Sequence, residues 1–382
     1  MPGTGTRARW LQALTLALPL VLLFVTAELG LRVLARESVY VPKPRLPVLA
    51  DHYFLGQAPI PGSSYESDRS RVSVNSLGFR GPEFSPQKPP GTFRIFALGG
   101  STTFGHFPGI SSDATTYPAR LEALLNAEKP DPAVTRYEVI NAGVPGHLVR
   151  TSLQNLASRI LFFDPDMIVV YHGTDDLARY GMESDLVRPL LDSFARTGLG
   201  AVCFDRLLGW SYAMQGLRYS LEGWSRAHSL DARPPVAEDD GAWAPDRRYP
   251  EAYRQDLRNL LTVASANGVR SMLIAPSIAI TQETDFARLT QEEVAMRLNE
   301  PFPNQWAIPP VARFGMFGLY NEILREVAQS EGAVFVDANA AVPKTPEYHW
   351  DYRHLTDRGA ALVAEITYQA LRDNTAQGSA GK

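Results

Sequence analysis

Phe93-Arg94-Ile95-Phe96-Ala97-Leu98-Gly99-Gly100-Ser101 is a short apolar run stopped by two glycines and a serine. A run of this length, closed by residues that let the backbone turn sharply, reads as a buried strand followed by a tight turn. The same rhythm recurs downstream. Tyr137-Glu-Val-Ile140 closes at Asn141-Ala-Gly143, and Met167-Ile-Val-Val-Tyr171 closes at Gly173. Met272-Leu-Ile-Ala-Pro276 and Val334-Phe-Val336 give a fourth and a fifth strand. Between them apolar residues repeat at helical spacing: Leu121, Leu124 and Leu125; Leu153, Leu156 and Ile160; Tyr253, Leu257, Leu260, Leu261 and Ala264, stopped by Asn267-Gly268. Leu319 to Val327 and the segment opened by Thr356 are the last two helices. Strands alternating with helices predict an α/β fold with a parallel, doubly wound sheet. The continuous apolar character of 167–171 suits a strand covered on both faces.

The whole chain of 382 residues is longer than this one sheet requires. With 45% hydrophobic and 20% charged residues it is not a disordered chain. A net charge of −4 lacks the electrostatic footprint of a nucleic-acid binder, so no nucleic-acid partner is expected. Cys203 is the only cysteine, which excludes an intramolecular disulfide, a CxxC motif and a Cys-rich zinc site; it reads as a small buried hydrophobe.

The excess length is accounted for in three places. Residues 1–36 read as a signal-anchor: Arg7 and Arg9 precede a stretch from Trp10 to Ala27 without a charge, at the length threshold for a membrane span. The apolar pattern continues through Leu29, Leu31, Val33 and Leu34, so the reading adopted is a retained transmembrane helix holding an extracytoplasmic domain. Cleavage near Val25-Thr26-Ala27, releasing a secreted or periplasmic protein, is the alternative. Residues 37–92 read as a linker and pre-domain segment, 93–372 as the main domain, and 373–382 as a flexible tail. Within the domain the pattern lapses at about 178–249 and 281–310. The first stretch carries Trp210, Tyr212, Tyr219, Trp224 and Trp243 with Glu238-Asp-Asp240. Both follow strand C-termini, where α/β folds place their ligand crevices, and read as insertions over the active face; packing of the aromatics in a small core of their own is equally open.

Ser101 follows a strand and two glycines, which presents its hydroxyl at the sheet's C-terminal edge. The segment is neither a GxSxG elbow, since position 103 is Thr, nor a P-loop. Asp351 and His354 are three positions apart, just ahead of the last helix. That spacing lets a carboxylate fix one imidazole nitrogen and leave the other to take a serine proton. His106, His147, His172 and His349 lie near these motifs, but no pair has HExxH spacing, so neither a metal nor a cofactor is expected.

Gly99-Gly-Ser-Thr-Thr103, Asn141-Ala-Gly143, Gly173-Thr-Asp-Asp176 and Asp351-Tyr-Arg-His-Leu-Thr356, in this order, resemble the blocks of the SGNH (GDSL-like) hydrolase superfamily. Asn75-Ser-Leu-Gly-Phe-Arg-Gly81 is similar to a segment of its membrane-anchored bacterial members. The resemblance covers roughly residues 93 to 372 and implies a three-layer α/β/α sandwich with a flavodoxin-like sheet. It further implies Ser101 as nucleophile, His354 as base and Asp351 as its orienting carboxylate. The oxyanion would be held by the N–H groups of Ser101 and Gly143. The third block of the family reads Gly-x-Asn-Asp, its Asn donating to the oxyanion; here that position is Asp175, and an ionised carboxylate only accepts. His172 is one candidate for a substitute donor.

The expectation is a membrane-anchored serine esterase or O-deacylase acting through an acyl-serine on an ester or acylated-glycan substrate. Two alternatives stand beside it: an O-acyltransferase acting on an envelope polysaccharide, and a non-catalytic glycan- or partner-binding protein, the latter motivated by Asp175.

Overall fold

The computed structural model describes residues 15, 18–19, 21–30, 47–52, 55–105, 109–177, 248–279 and 310–380. Cys203, His106, the aromatic-rich stretch at 178–247 and the second insertion from 280 to 309 lie outside these residues. Two units are distinguished: Met1–Arg45 with Ser184–Pro235, and Leu46–Glu183 with Val236–Lys382.

In the first unit, residues 21–30 are helical, with Leu22, Leu23 and Leu29 exposed. Among the described residues no helix is long and apolar enough to cross a membrane. Most of the anchor expected over 1–36 falls outside them.

The second unit begins with two antiparallel hairpins. β1 (Leu49–His52) pairs with β2 (Gly56–Pro59), and β3 (Ser64–Glu66) with β4 (Arg71–Ser73). The described residues between 47 and 92, within the segment expected as linker and pre-domain, thus include two hairpins. Val48, Val72 and Val74 of this segment pack with Phe104 and Val144, while Phe79 enters the main core. The Gly- and Pro-rich composition that suggested a linker serves the turns of short strands instead.

Then come β5 (Thr92–Gly99), α1 (Ser101–Phe104), α2 (Tyr117–Glu128), β6 (Arg136–Asn141), α3 (Val149–Ser158) and β7 (Met167–Tyr171). After the first insertion follow α4 (Arg248–Ala266) and β8 (Arg270–Ile274). After the second follow α5 (Pro310–Ser330), β9 (Val334–Val336), α6 (Ala338–Ala341) and α7 (Asp357–Ala380). α7 continues through most of the segment expected as a tail.

β5 to β9 form one parallel sheet in the order β6-β5-β7-β8-β9. Counted within the sheet this is the 2-1-3-4-5 order of a flavodoxin-like fold. Strand residues alternate between two cores. Phe96, Leu98, Ile168, Val170 and Leu273 face the layer of α3, α4 and α5. Ile95, Ala97, Met167, Val169 and Ile274 face the layer of α2 and α7. With both faces covered, the strands show unbroken apolar runs rather than polar alternation. Local signals bound the helices: Thr116 caps the start of α2 by accepting from the Ala119 N–H, and Gly268 follows α4 at φ +73°, at the expected stop. In this strand order the chain direction reverses beside β5, so a ligand crevice is expected at its C-terminal end.

Candidate active site

Two close approaches explain why two glycines end β5. A Cβ on Gly99 would overlap Thr103 Oγ1 and crowd the Tyr171 carbonyl. A Cβ on Gly100 would overlap Asp175 Oδ2. The chain therefore turns within two residues, and Ser101 becomes the first residue of α1 at the sheet's C-terminal edge. Its backbone N–H meets no acceptor among the described residues, as is usual for a first-turn amide.

The single turn of α1 needs support at its far end, and one backbone N–H and two side chains supply it. Gly105 takes the left-handed conformation at φ 76° and its N–H donates to the Ser101 carbonyl. Buried Arg80 donates from Nη1 to the Phe104 carbonyl at 2.5 Å and also to the Gly105 carbonyl. Its Nε donates to Asp113 Oδ1 at 2.8 Å. Asn141 at the end of β6 donates from Nδ2 to the Thr103 carbonyl at 2.8 Å. The 75–81 motif thus reaches the site through Arg80, a role its sequence did not disclose.

Asp351 to His354 form a tight turn before α7. Asp351 Oδ1 accepts the N–H groups of Arg353 (2.9 Å) and His354 (2.7 Å), while Oδ2 meets His354 Nδ1 at 2.5 Å. Burial alone would raise the Asp351 pKa. The adjoining His354 imidazole and the hydrogen bonds it receives overcome that and hold it well below the usual carboxylate range. An ionised carboxylate can only accept, so the His354 proton sits on Nδ1. Nε2 is left as the acceptor facing Ser101 Oγ at 2.8 Å. Ser101, Asp351 and His354 are all buried, at 6%, 4% and 3% exposure. This is the geometry of a base-activated nucleophile with an oriented base.

Further bonds hold the Asp351 loop. The Trp350 N–H donates to the His354 carbonyl, and the Ala279 N–H to the Tyr352 carbonyl. His349 Nε2 lies 3.0 Å from Ser277 Oγ, to which Lys344 also donates at 2.8 Å. Burial, reinforced by the Lys344 charge, lowers His349 to about 4, so this ring is neutral.

The remaining expected residues divide. Gly143 lies beneath α1, where a Cβ would overlap the Phe104 nitrogen and crowd Thr103. Its N–H donates to Asn141 Oδ1 at 3.1 Å, so it is already committed and does not stand open to an oxyanion. Gly146, three residues on, is exposed at φ +73°, and its N–H meets no acceptor among the described residues. Its loop is fastened to β2: His147 Nε2 lies 2.9 Å from the Gln57 carbonyl, and Gln57 Nε2 donates to the Pro145 carbonyl. Burial lowers His147 to about 4.

Asp175 is paired: Arg353 Nη1 donates to its Oδ1 at 2.9 Å. His172 is no substitute donor, because its ring is buried with Nε2 2.7 Å from Ser152 Oγ of α3. Burial depresses its pKa to about 3, so it is neutral. Asp176, buried beside it, accepts the Val149 N–H at 3.0 Å and is pushed up to about 7 by burial. His172 Nδ1 and Asp176 Oδ2 are 3.7 Å apart. With the imidazole neutral and the carboxyl raised, this is a polar contact rather than an ion pair. Among the described residues no three His, Cys, Asp or Glu side chains converge as metal ligands.

Residues 97–362 match the model of the GDSL-like lipase/acylhydrolase family. No curated protein matches. Among solved structures, the chain is similar to LAE5, an alpha/beta hydrolase enzyme from the metagenome of Lake Arreo, Spain. Identity is 16% over 73% of this chain and 94% of that one, at a TM-score of 0.42. It is also similar to Axe2, an acetylxylan esterase from Geobacillus stearothermophilus (16%, 73% and 93%, TM-score 0.42). A third is the lipase/acylhydrolase from Enterococcus faecalis (15%, 74% and 96%, TM-score 0.42).

Proposed function

Since the chain belongs to the GDSL-like lipase/acylhydrolase family of enzymes, we propose that it hydrolyses a carboxylic ester through an acyl-serine formed on Ser101. The observation that carries this reading is the continuous relay from Ser101 Oγ to His354 Nε2 (2.8 Å) and from His354 Nδ1 to Asp351 Oδ2 (2.5 Å). In the first half-reaction His354 takes the Ser101 proton as the oxygen attacks the ester carbonyl. It then returns that proton to the leaving alcohol, and Ser101 is left acylated. In the second, water replaces the alcohol, His354 is again the base, and the acid is released with Ser101 regenerated. Asp351 keeps the imidazole in the required tautomer and stabilises its charged form. The donors proposed for the tetrahedral oxyanion are the N–H groups of Ser101 and Gly146, which meet no acceptor among the described residues, whereas the Gly143 N–H donates to Asn141.

The substrate side of the proposal is an acylated compound outside the cytoplasm, with the enzyme held at the membrane by residues 1–36. Its support is the charge-free run from Trp10 to Ala27 and the exposed leucines of the helix at 21–30.

Fluorophosphonate labelling of the full chain tests the chemistry: the wild type is expected to carry the label on Ser101 and Ser101→Ala to carry none. An unlabelled, folded wild type would overturn the reading. Acetylated oligosaccharides supplied with and without a free sugar acceptor separate hydrolysis from transfer, acetate release being the expected product. Fractionation after an alkaline carbonate wash tests the anchor, the protein being expected to stay with the membrane.

A further inference from the structure

The site contains a charge of the wrong sign. Asp175 Oδ2 occupies the space where a Cβ on Gly100 would stand, one residue from the Ser101 N–H. Attack on an ester puts negative charge on the carbonyl oxygen beside that N–H. A lone carboxylate there opposes the build-up, because it offers no donor and repels the charge.

Arg353 answers it from the opposite side of the site. Its guanidinium donates to Asp175 Oδ1 at 2.9 Å. Its backbone is fixed by the catalytic apparatus itself: the N–H donates to Asp351 Oδ1 at 2.9 Å, and the carbonyl accepts from Thr102 Oγ1 at 3.3 Å. Arg353 therefore connects the base-bearing turn, the helix of Ser101 and the carboxylate at 175. The side chains of Arg353 and Asp175 are 23% and 12% exposed. Both side chains are mostly covered, so loss of Arg353 would leave the Asp175 charge partly desolvated beside the nucleophile.

We propose that Arg353 is a positioning residue for turnover: it fixes the Asp175 carboxylate through Oδ1 and offsets its charge beside the developing oxyanion. The inference rests on the ester-hydrolase reading and adds an interdependence to it. Turnover requires Arg353 when residue 175 is a carboxylate, and much less when residue 175 is a neutral amide able to donate.

The test is a double-mutant cycle on the full chain with p-nitrophenyl acetate, reading kcat and KM separately. Arg353→Met is expected to lower kcat by about 10- to 100-fold, somewhat less than removal of a direct oxyanion donor, with KM little changed. Arg353→Lys, which keeps the charge but not the planar fork, should recover part of the loss. Asp175→Asn, which removes the opposing charge and supplies a donor, should turn over faster than the wild type. Arg353→Met added to Asp175→Asn should cost far less than Arg353→Met alone. An equal loss in both backgrounds, or wild-type kcat in Arg353→Met, would overturn the inference. Melting temperatures identify a misfolded variant; if Arg353→Met does not fold, Arg353→Gln in the two backgrounds carries the same comparison. Failure of the underlying reading looks different: the wild type itself would then neither label with fluorophosphonate nor turn over the ester, and the inference would fall with it.

Discussion

Ser101 Oγ and His354 Nε2 stand 2.8 Å apart, although 253 positions separate them in the chain. β5 delivers the first and the turn before α7 delivers the second, so the sheet and the last helix must both be in place before the pair exists.

That pair sets the first prediction. Asp351→Asn keeps the size of the side chain but lets it donate to His354 Nδ1, which forces the other tautomer and turns Nε2 into a donor. Turnover is expected to fall by about 10⁴-fold, measured by steady-state hydrolysis. His354→Gln, which cannot take the Ser101 proton, should lose turnover on the same scale. Asp351 itself is held well below the usual carboxylate range, so in the wild type it is the ionised acceptor that fixes the Nδ1-protonated tautomer. Near-wild-type turnover in Asp351→Asn would contradict the role of His354 as the oriented base.

Arg80 gives the second. Arg80→Met leaves the Gly105 carbonyl without its side-chain donor, the Phe104 carbonyl with only a long bond from Asn141 Nδ2, and Asp113 without its guanidinium. The loss should be about 3–5 kcal/mol, seen as a lower midpoint in urea unfolding. Arg80→Lys should recover less than half of it, because a single ammonium cannot reproduce the fork. A midpoint unchanged in Arg80→Met would show that α1 does not depend on this clamp.

The two loop glycines give the third. Gly143→Ala drives a methyl into the backbone of Thr103 and Phe104, which cannot step aside. A cost of about 3 kcal/mol or more is expected. Gly146→Ala meets only Gln57 Nε2, at 3.5 Å, so its cost is the left-handed backbone at φ +73°, about 1–2 kcal/mol. Denaturant titration of the two variants should rank them in that order; the reverse order would contradict the packing of Gly143 under α1.

Acid stability gives the fourth. His147, His172 and His349 are lowered to about 4, 3 and 4 by burial. Near pH 5.5 each is neutral when folded and protonated when unfolded, so each loses stability as pH falls below its ordinary value of 6.5. Asp176 works the other way. Raised to about 7, it is protonated when folded and ionised when unfolded, and it loses stability as pH rises from about 4 to 7. These four groups together give a net uptake of roughly two protons on unfolding near pH 5.5. Stability should therefore decline by about 2–3 kcal/mol per pH unit there. Asp176→Asn should steepen that decline and stabilise the protein more at pH 8 than at pH 5. Urea titrations across this range check both signs.

The sequence alone carried the architecture, because it is set by local periodicity. The strand 167–171 is found with its expected ends, and α4 stops immediately before its Asn267-Gly268 signal. It also ordered Ser101, Asp351 and His354 along the chain, since a strand end and a pre-helix turn are local features. It did not show the two hairpins between residues 47 and 92, because strands of three or four residues leave too short a pattern to distinguish from loop. Nor did it distinguish Gly143, whose N–H is already used, from Gly146, whose N–H is open; both are glycines in one loop, and only neighbours remote in sequence separate them. Asp175 marks the boundary most clearly. As a letter it was a carboxylate where a donor was expected. Its counter-charge, Arg353, is 178 residues away, and only the folded sheet brings the two within hydrogen-bonding distance.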